Sequence, residues 1–528
     1  MPTLHELADR HVIVDKREHH YLSFPDIGVA ADGRLVLVYR EADQHVATRR
    51  KLLARTSRDA GRTWSAVALL NAAGGHCPRI TRLSDGQLVV IDDDPPTLYW
   101  SVDNTQSWLR QPAPAFTHGI IDRLLELDTE TLLAAAQWSK GSHPHPTMGQ
   151  PPIEQMIYIS RNRGASFSPL CPIPAAPHLA LCEASLAKLA DGRIMALLRE
   201  NSRVFEPMYV TYSHDLGRTW SDPWPTPLIG HRPCLGQTRS GKLLVTYRNV
   251  GPDMGTAAWL GAPDELGPPK GFGERLESNG FQVHSSIHPA TAATLDAEGL
   301  HIRIPEEAKN LAAYYALRPL SDPAHAIATL EAEVRVFEAQ ANHCGLRLGF
   351  WWRVFPDRVV PERRGARPVD IPTGRSNLLR LEYGQGQVTL YVNDRKRRTY
   401  ALDCESVNSR PVVFGTVGGR PNNAGLSQWR RLRLDIREPR LLRRTSWSWT
   451  PDAGLPDSWA QRRVLELKND CQASAGDFGY SGWVENEDGC FVCAHHHADS
   501  GSPGYRRGYS SHILVTRFFE TDFQLRTP

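Results

Sequence analysis

The chain has 528 residues, long enough for two or more domains with substantial cores, and 41% hydrophobic with 23% charged residues is ordinary for a globular protein. A formal net charge of +3 gives no electrostatic case for a nucleic-acid partner, no apolar run approaches membrane-spanning length, and the first ten residues lack the apolar core of a signal peptide. Nine scattered cysteines, an odd number, fit reduced thiols and a cytoplasmic protein better than a disulfide framework.

In chain order, a short strand around Val12, Ile13 and Val14 precedes a series of apolar hairpins. The first runs from Val29 to Val38 through Asp32-Gly33, the second from Thr81 to Val90 through Asp85-Gly86. Similar hairpins turn at Asp128-Thr129, Asp191-Gly192, Ser240-Gly241 and Asp488-Gly489. Asp-Gly between apolar runs is a strong short-range hairpin signal. A second motif, S-x-D-x-G-x-T-W, is complete at Ser57–Trp64 and Ser213–Trp220 and decayed at Ser101–Trp108 and Ser160–Phe167. Its physics is that of a turn: the short Asp or Asn accepts backbone N–H bonds, Gly takes the positive-φ place, and the ring plugs between strands. Six hairpins, four followed by this turn, predict an all-β chain with six four-stranded blades of a β-propeller, the strand at Val12 pairing into the last blade. An open β-sandwich with similar turns is the alternative.

The spacing breaks between the hairpins at Ser240-Gly241 and Asp488-Gly489. A Gly- and Pro-rich run from Gly261 leads into alternating strands beginning at Gly299, Leu330, Leu346, Leu379 and Val388. The expected organisation is therefore propeller over residues 1–267, an inserted antiparallel β-sandwich over 268–441, and propeller completion over 442–528. By strand pattern alone the insert resembles concanavalin-like (laminin-G-like) modules. Trp351, Trp352, Arg363 and Arg364 suit a sugar-facing surface or, equally, core packing and a solvated loop.

The turns, which resemble aspartate boxes or BNR repeats, and the six hairpins make the chain resemble the sialidase (neuraminidase) superfamily over residues 10–265 and 443–520. Such turns specify fold rather than function, which belongs to the central site. The resemblance implies an exo-glycosidase acting on a terminal acidic sugar. Because a sialoside carries a carboxylate at its anomeric carbon, a neutral phenol activated by Glu serves as nucleophile, arginines clamp the carboxylate and an Asp protonates the leaving oxygen. Carried over by position, Tyr480 is the nucleophile, Glu183 its activating base and Asp43 the acid/base, with Glu41 a competitor. Arg40, Arg199 and Arg232 form the clamp, with Arg248 an alternative to Arg232, and Arg79 able to compensate. The stretch matching the family's F/Y-R-I-P motif is Leu22–Asp26, where the first arginine of the triad falls on Ser23; this departure leaves another acidic sugar open.

Cys490, Cys493 and the histidines 495–497 resemble metal-ligand spacing, but residues 490 and 493 on a strand point to opposite faces and no second C-x-x-C exists. Core cysteines beside site-facing histidines are the preferred reading, and no metal or cofactor is expected. His118, His143 and His145 are further candidates for the central mouth. A polysaccharide lyase, in which arginines neutralise a uronate while Tyr480 or a His abstracts the C5 proton, a glycosidase acting on uronic-acid-containing or other glycans on the same fold, and a non-catalytic glycan-binding propeller remain alternatives. The expected partner is a carbohydrate, with neither nucleic acid nor membrane.

Overall fold

The computed structural model describes residues 7–117, 119–138, 153–176, 179–201, 206–251, 254–267, 283–287, 291–402, 411–417, 420–470 and 476–524. The described chain is all-β apart from a few short helices and forms two compact units. One comprises Glu6–Ser202, Pro207–Pro268 and Arg463–Pro528; the other is built mainly from Pro269–Arg462.

The first unit consists of short antiparallel sheets. Tyr21–Val29, Leu35–Ala42, Arg50–Ser57 and Ala68–Asn71 make one, and Arg79–Arg82 through Leu109–Pro112 the next. A third runs from Leu125–Glu126 to Ser168–Pro172. A fourth takes Ser481–Glu485, Phe491–His497 and His512–Phe518, and is completed by His11–Asp15 from the other end of the chain, so the early strand pairs where the sequence places it. The remaining sheet has seven strands because Trp224–Gln237 is long enough to pair at its start with Pro207–Ser213 and at its end with Leu243–Asn249.

All six sequence hairpins close alike. Ala30 N–H donates to Arg34 O at 2.9 Å, and the same bond recurs as Leu83 to Gln87, Leu127 to Thr131, Leu189 to Arg193, Thr238 to Lys242 and Asn486 to Cys490. The Ser–Asp turns are also one structure four times. Ser57 Oγ donates to Asp59 Oδ1 (2.8 Å) and accepts from Gly61 N (2.9 Å), while Asp59 accepts Thr63 N (2.9 Å) and Thr63 Oγ1 (2.6 Å). The turn at Ser213 repeats each bond within 0.1 Å. Thr105 keeps the left-handed conformation, at φ 72°, where the intact copies use Gly at 85° and 86°.

One irregularity matters for the site. In three first strands the register slips at a bulge: Ser23 faces Arg40 but Asp26 faces Val38; Cys182 faces Arg199 but Ser185 faces Leu197; His231 faces Arg248 but Cys234 faces Thr246. Inside the bulges Phe24, Glu183 and Arg232 take φ of 54°, 49° and 48°. Non-glycine residues held there are strained, and such strain concentrates at functional sites.

In the second unit, a seven-stranded and an eight-stranded antiparallel sheet share one core. Tyr315, Leu346, Trp352 and Phe414 come from one sheet, Leu300, Leu330, Leu379 and Trp429 from the other. Trp352 is fully buried and stacked on Phe350, and Trp351 is also buried, so core packing is the role the structure gives both. Arg363 and Arg364 are exposed. Strand Arg443–Trp449 pairs along Gly425–Glu438, which carries this unit to Arg462, past the expected boundary after residue 441. Strand pairing, which composition does not report, sets that limit.

Candidate active site

The bulges and the strands that follow them assemble a cluster from residues far apart in sequence. Gly479, at φ 83°, turns the chain into Tyr480, whose hydroxyl donates to Glu183 Oε1. Arg199 Nη1 lies 3.1 Å from both Glu183 oxygens and 3.3 Å from the Tyr480 hydroxyl. The Arg248 guanidinium stacks over the Tyr480 ring at 4.1 Å and is fixed by donating Nε–H to Phe478 O at 2.8 Å. Arg232 approaches the same ring at 5.9 Å.

Electrostatics assigns the protons. Burial alone would raise the Glu183 pKa, but Arg199 and Arg232, with the Tyr480 hydroxyl, overcome it and hold the carboxyl at about 2. Burial and the Glu183 charge push the Tyr480 phenol well above its usual value despite Arg248 and Arg199. The resting pair is therefore a protonated phenol on an ionised carboxylate, the arrangement of a nucleophile and its base. Among the described residues, Arg199 Nε and Arg232 Nε and Nη1 are buried donors without a hydrogen-bond acceptor. Unsatisfied buried guanidinium donors favour an anionic ligand.

The other sequence candidates divide. Arg40 occupies the register position of Arg199 and Arg248, but its donors go to Ser23 Oγ (3.0 Å) and His45 O (3.1 Å) and its face covers Phe24 at 4.4 Å. Ser23, where the first arginine was expected, faces Arg40 across the strand pair; the residue at the register of Glu183 and Arg232 is Phe24, whose ring lies 5.0 Å from that of Tyr480. Arg79 is buried between Asp26 (3.7 Å) and Asp122 (3.5 Å) and donates to Ser481 O, which makes it a tie between sheets. Asp43 is not brought to this cluster. It accepts from Thr48 Oγ1 (2.6 Å), Thr48 N and Arg49 N, and lines an outer cleft with His19, His20 and Arg49. The Thr48 hydroxyl lowers its pKa, the wrong direction for a proton donor. Glu41 is held by Arg17 and Lys51. His118, His143 and His145 lie outside the described residues. Cys490 and Cys493 pack into different cores, as residues of opposite strand faces do, and His495 bonds Thr516.

Sequence reading missed Phe24, His76 and Asp93. The signal for the last was present: a buried Asp92-Asp93 pair ends an apolar strand, where carboxylates are otherwise badly placed.

Residues 11–252 match the BNR repeat-like domain family. This bears out the BNR-repeat resemblance carried by the Ser–Asp turns and is consistent with the sialidase superfamily. Among solved structures similar to the chain is a protein of unknown function from Dyadobacter fermentans, 11% identical with TM-score 0.48, covering 98% of this chain and 99% of that one. A Trypanosoma rangeli sialidase in complex with 2,3-difluoro-KDN is 10% identical with TM-score 0.34 over 81% and 93%. An α-L-arabinanase from Penicillium chrysogenum complexed with arabinobiose is 12% identical with TM-score 0.37 over 58% and 93%. Comparison with curated proteins finds no match.

Proposed function

We propose that the short sheets are the six blades of a propeller, that the two-sheet unit is a concanavalin-like insert, and that the protein is a retaining exo-glycosidase of sialidase type releasing a terminal acidic sugar. One observation carries this reading: the Tyr480 phenol donates to a Glu183 carboxylate kept ionised by surrounding arginines. As the Tyr480 oxygen bonds the anomeric carbon, its proton passes to Glu183 and the glycosidic C–O bond breaks. Arg199 and Arg248, already against the phenol, stabilise the charge that develops there. The open donors of Arg232 and Arg199 suit the substrate carboxylate, with Arg248 beside them. A phenol avoids the repulsion that a carboxylate nucleophile would meet from that group.

The deciding experiment is methylumbelliferone release from the α-sialoside by wild type and Tyr480→Phe. Turnover by the wild type that collapses on loss of the hydroxyl supports the assignment. A wild type without turnover overturns the sialoside reading. Ser23 in place of the expected arginine favours one second reading, a lyase acting on uronate-containing glycans. Ultraviolet absorbance from a 4,5-unsaturated product identifies that outcome.

A further inference from the structure

Resting on the glycosidase reading, we infer that His76, oriented by Asp93, is the group that exchanges a proton with the glycosidic oxygen. Asp93 stands two residues beyond Ile91, the strand partner of Arg79. In the neighbouring sheets the same step leads from Val38 to Arg40, from Leu197 to Arg199 and from Thr246 to Arg248. The correspondence is supported by side-chain bonds: Ile80 N donates to Asp26, as Leu235 N donates to Ser185. The register that delivers the arginines thus delivers one carboxylate, Asp93.

That carboxylate is fixed on every side. It accepts Cys77 N at 2.9 Å and Ile120 N at 2.5 Å, and lies 3.0 Å from His76 Nδ1. Burial alone would raise Asp93, but His76 and these amides lower it; its neighbour Asp92 is raised, to about 7, by burial and the Asp93 charge. An ionised Asp93 accepts from His76 Nδ1–H, which leaves Nε2 as the nitrogen that trades a proton. The His76 side chain is 30% exposed, whereas His231 and His496 are kept neutral mainly by burial, with nearby arginines adding to it. Its ring packs 5.5 Å from Phe24, and Phe24 packs 5.0 Å from Tyr480, so dyad and nucleophile flank one aromatic ring. Asp43, the carboxylate expected for this task, is engaged elsewhere.

The step balances without another reagent. Protonated His76 gives its Nε2 proton to the departing glycosidic oxygen as the anomeric C–O bond breaks, the Tyr480 oxygen forms the new bond, and the phenol proton moves to Glu183. Neutral His76 then accepts a proton from water as that water attacks the anomeric carbon. The bond to Tyr480 breaks and Glu183 returns the phenol proton.

The test compares α-sialyllactose, whose leaving alkoxide needs protonation, with methylumbelliferyl α-sialoside, whose leaving group departs unaided. His76→Gln, and Asp93→Asn as a second variant, are each checked for a thermal midpoint close to wild type. The expected result is a loss on the order of 100-fold or more on sialyllactose with only a few-fold loss on the aryl sialoside. Asp93→Asn, which misorients the ring, should show the same asymmetry to a smaller degree. Equal losses on both substrates, or no loss, would overturn the assignment while leaving the Tyr480 reading in place. A wild type inactive on both sialosides would overturn the sialoside reading and this assignment with it.

Discussion

Glu183 shows how one buried charge serves two purposes. Its carboxylate accepts the Tyr480 hydroxyl, as the proposed base must, and is also the counter-ion of Arg199, with Arg232 and Arg248 close enough to act on its charge. Glu183→Gln should therefore abolish turnover and also leave guanidinium charge uncompensated, a change costing about 3–5 kcal/mol for a buried pair. Urea unfolding would read this as a lowered midpoint, partly restored by sulfate if the arginines form an anion site. The sign of the pH dependence is fixed as well. The folded pKa of about 2 lies below the ordinary 4.5, so the unfolded chain binds this proton more tightly. The stabilisation is complete above pH 4.5 and vanishes as pH falls toward 2.

Among elements, the turns and the bulges differ in how openly the sequence announces them. Asp32-Gly33 and Ser57–Trp64 are local devices: their bonds close within four or five residues, so residue types suffice to identify them. The bulges at Phe24, Glu183 and Arg232 place ordinary side chains at positive φ with no glycine to mark them. Residue types accordingly point to Ser23 for the expected arginine and leave the bulge at Phe24 unmarked. Glycines at two turns give a sharp comparison. Gly217 (φ 86°) would carry a Cβ 2.7 Å from Leu133 Cδ1, whereas Gly241 (φ 84°) has nothing within 4 Å. Gly241→Ala should cost only the left-handed penalty of about 1–2 kcal/mol, and Gly217→Ala clearly more, measured by thermal unfolding.

At the scale of the molecule, the first unit buries many histidines as neutral groups. His45 and His512 are each held at about 4, and His231, His495, His496 and His497 lower still, in every case mainly by burial. The unfolded chain protonates these near pH 6.5 while the folded one does not, so stability should fall steadily as pH drops below 6.5. Asp92, raised to about 7, and Asp470, also raised by burial, act in the opposite sense but are outnumbered by these six histidines. Urea midpoints at pH 7.5, 6 and 5 should decline in that order; a flat profile would contradict the neutral buried histidines.

By itself the sequence determined the repeating parts: the hairpins, the Ser–Asp turns and the strand that joins the last sheet, whereas the tyrosine–glutamate pair was only what the family resemblance implied. The repeating parts follow from short-range hydrogen bonding and from period-two hydrophobicity, both written in neighbouring residues. Only the tertiary structure decided which charges meet. Tyr480 and Glu183 are 297 residues apart, Arg79 is captured by two carboxylates, Asp43 by its own loop, and Asp93 reaches by strand register the position that arginines hold in neighbouring sheets. Proton positions depend on distance and burial in space, and sequence spacing carries neither.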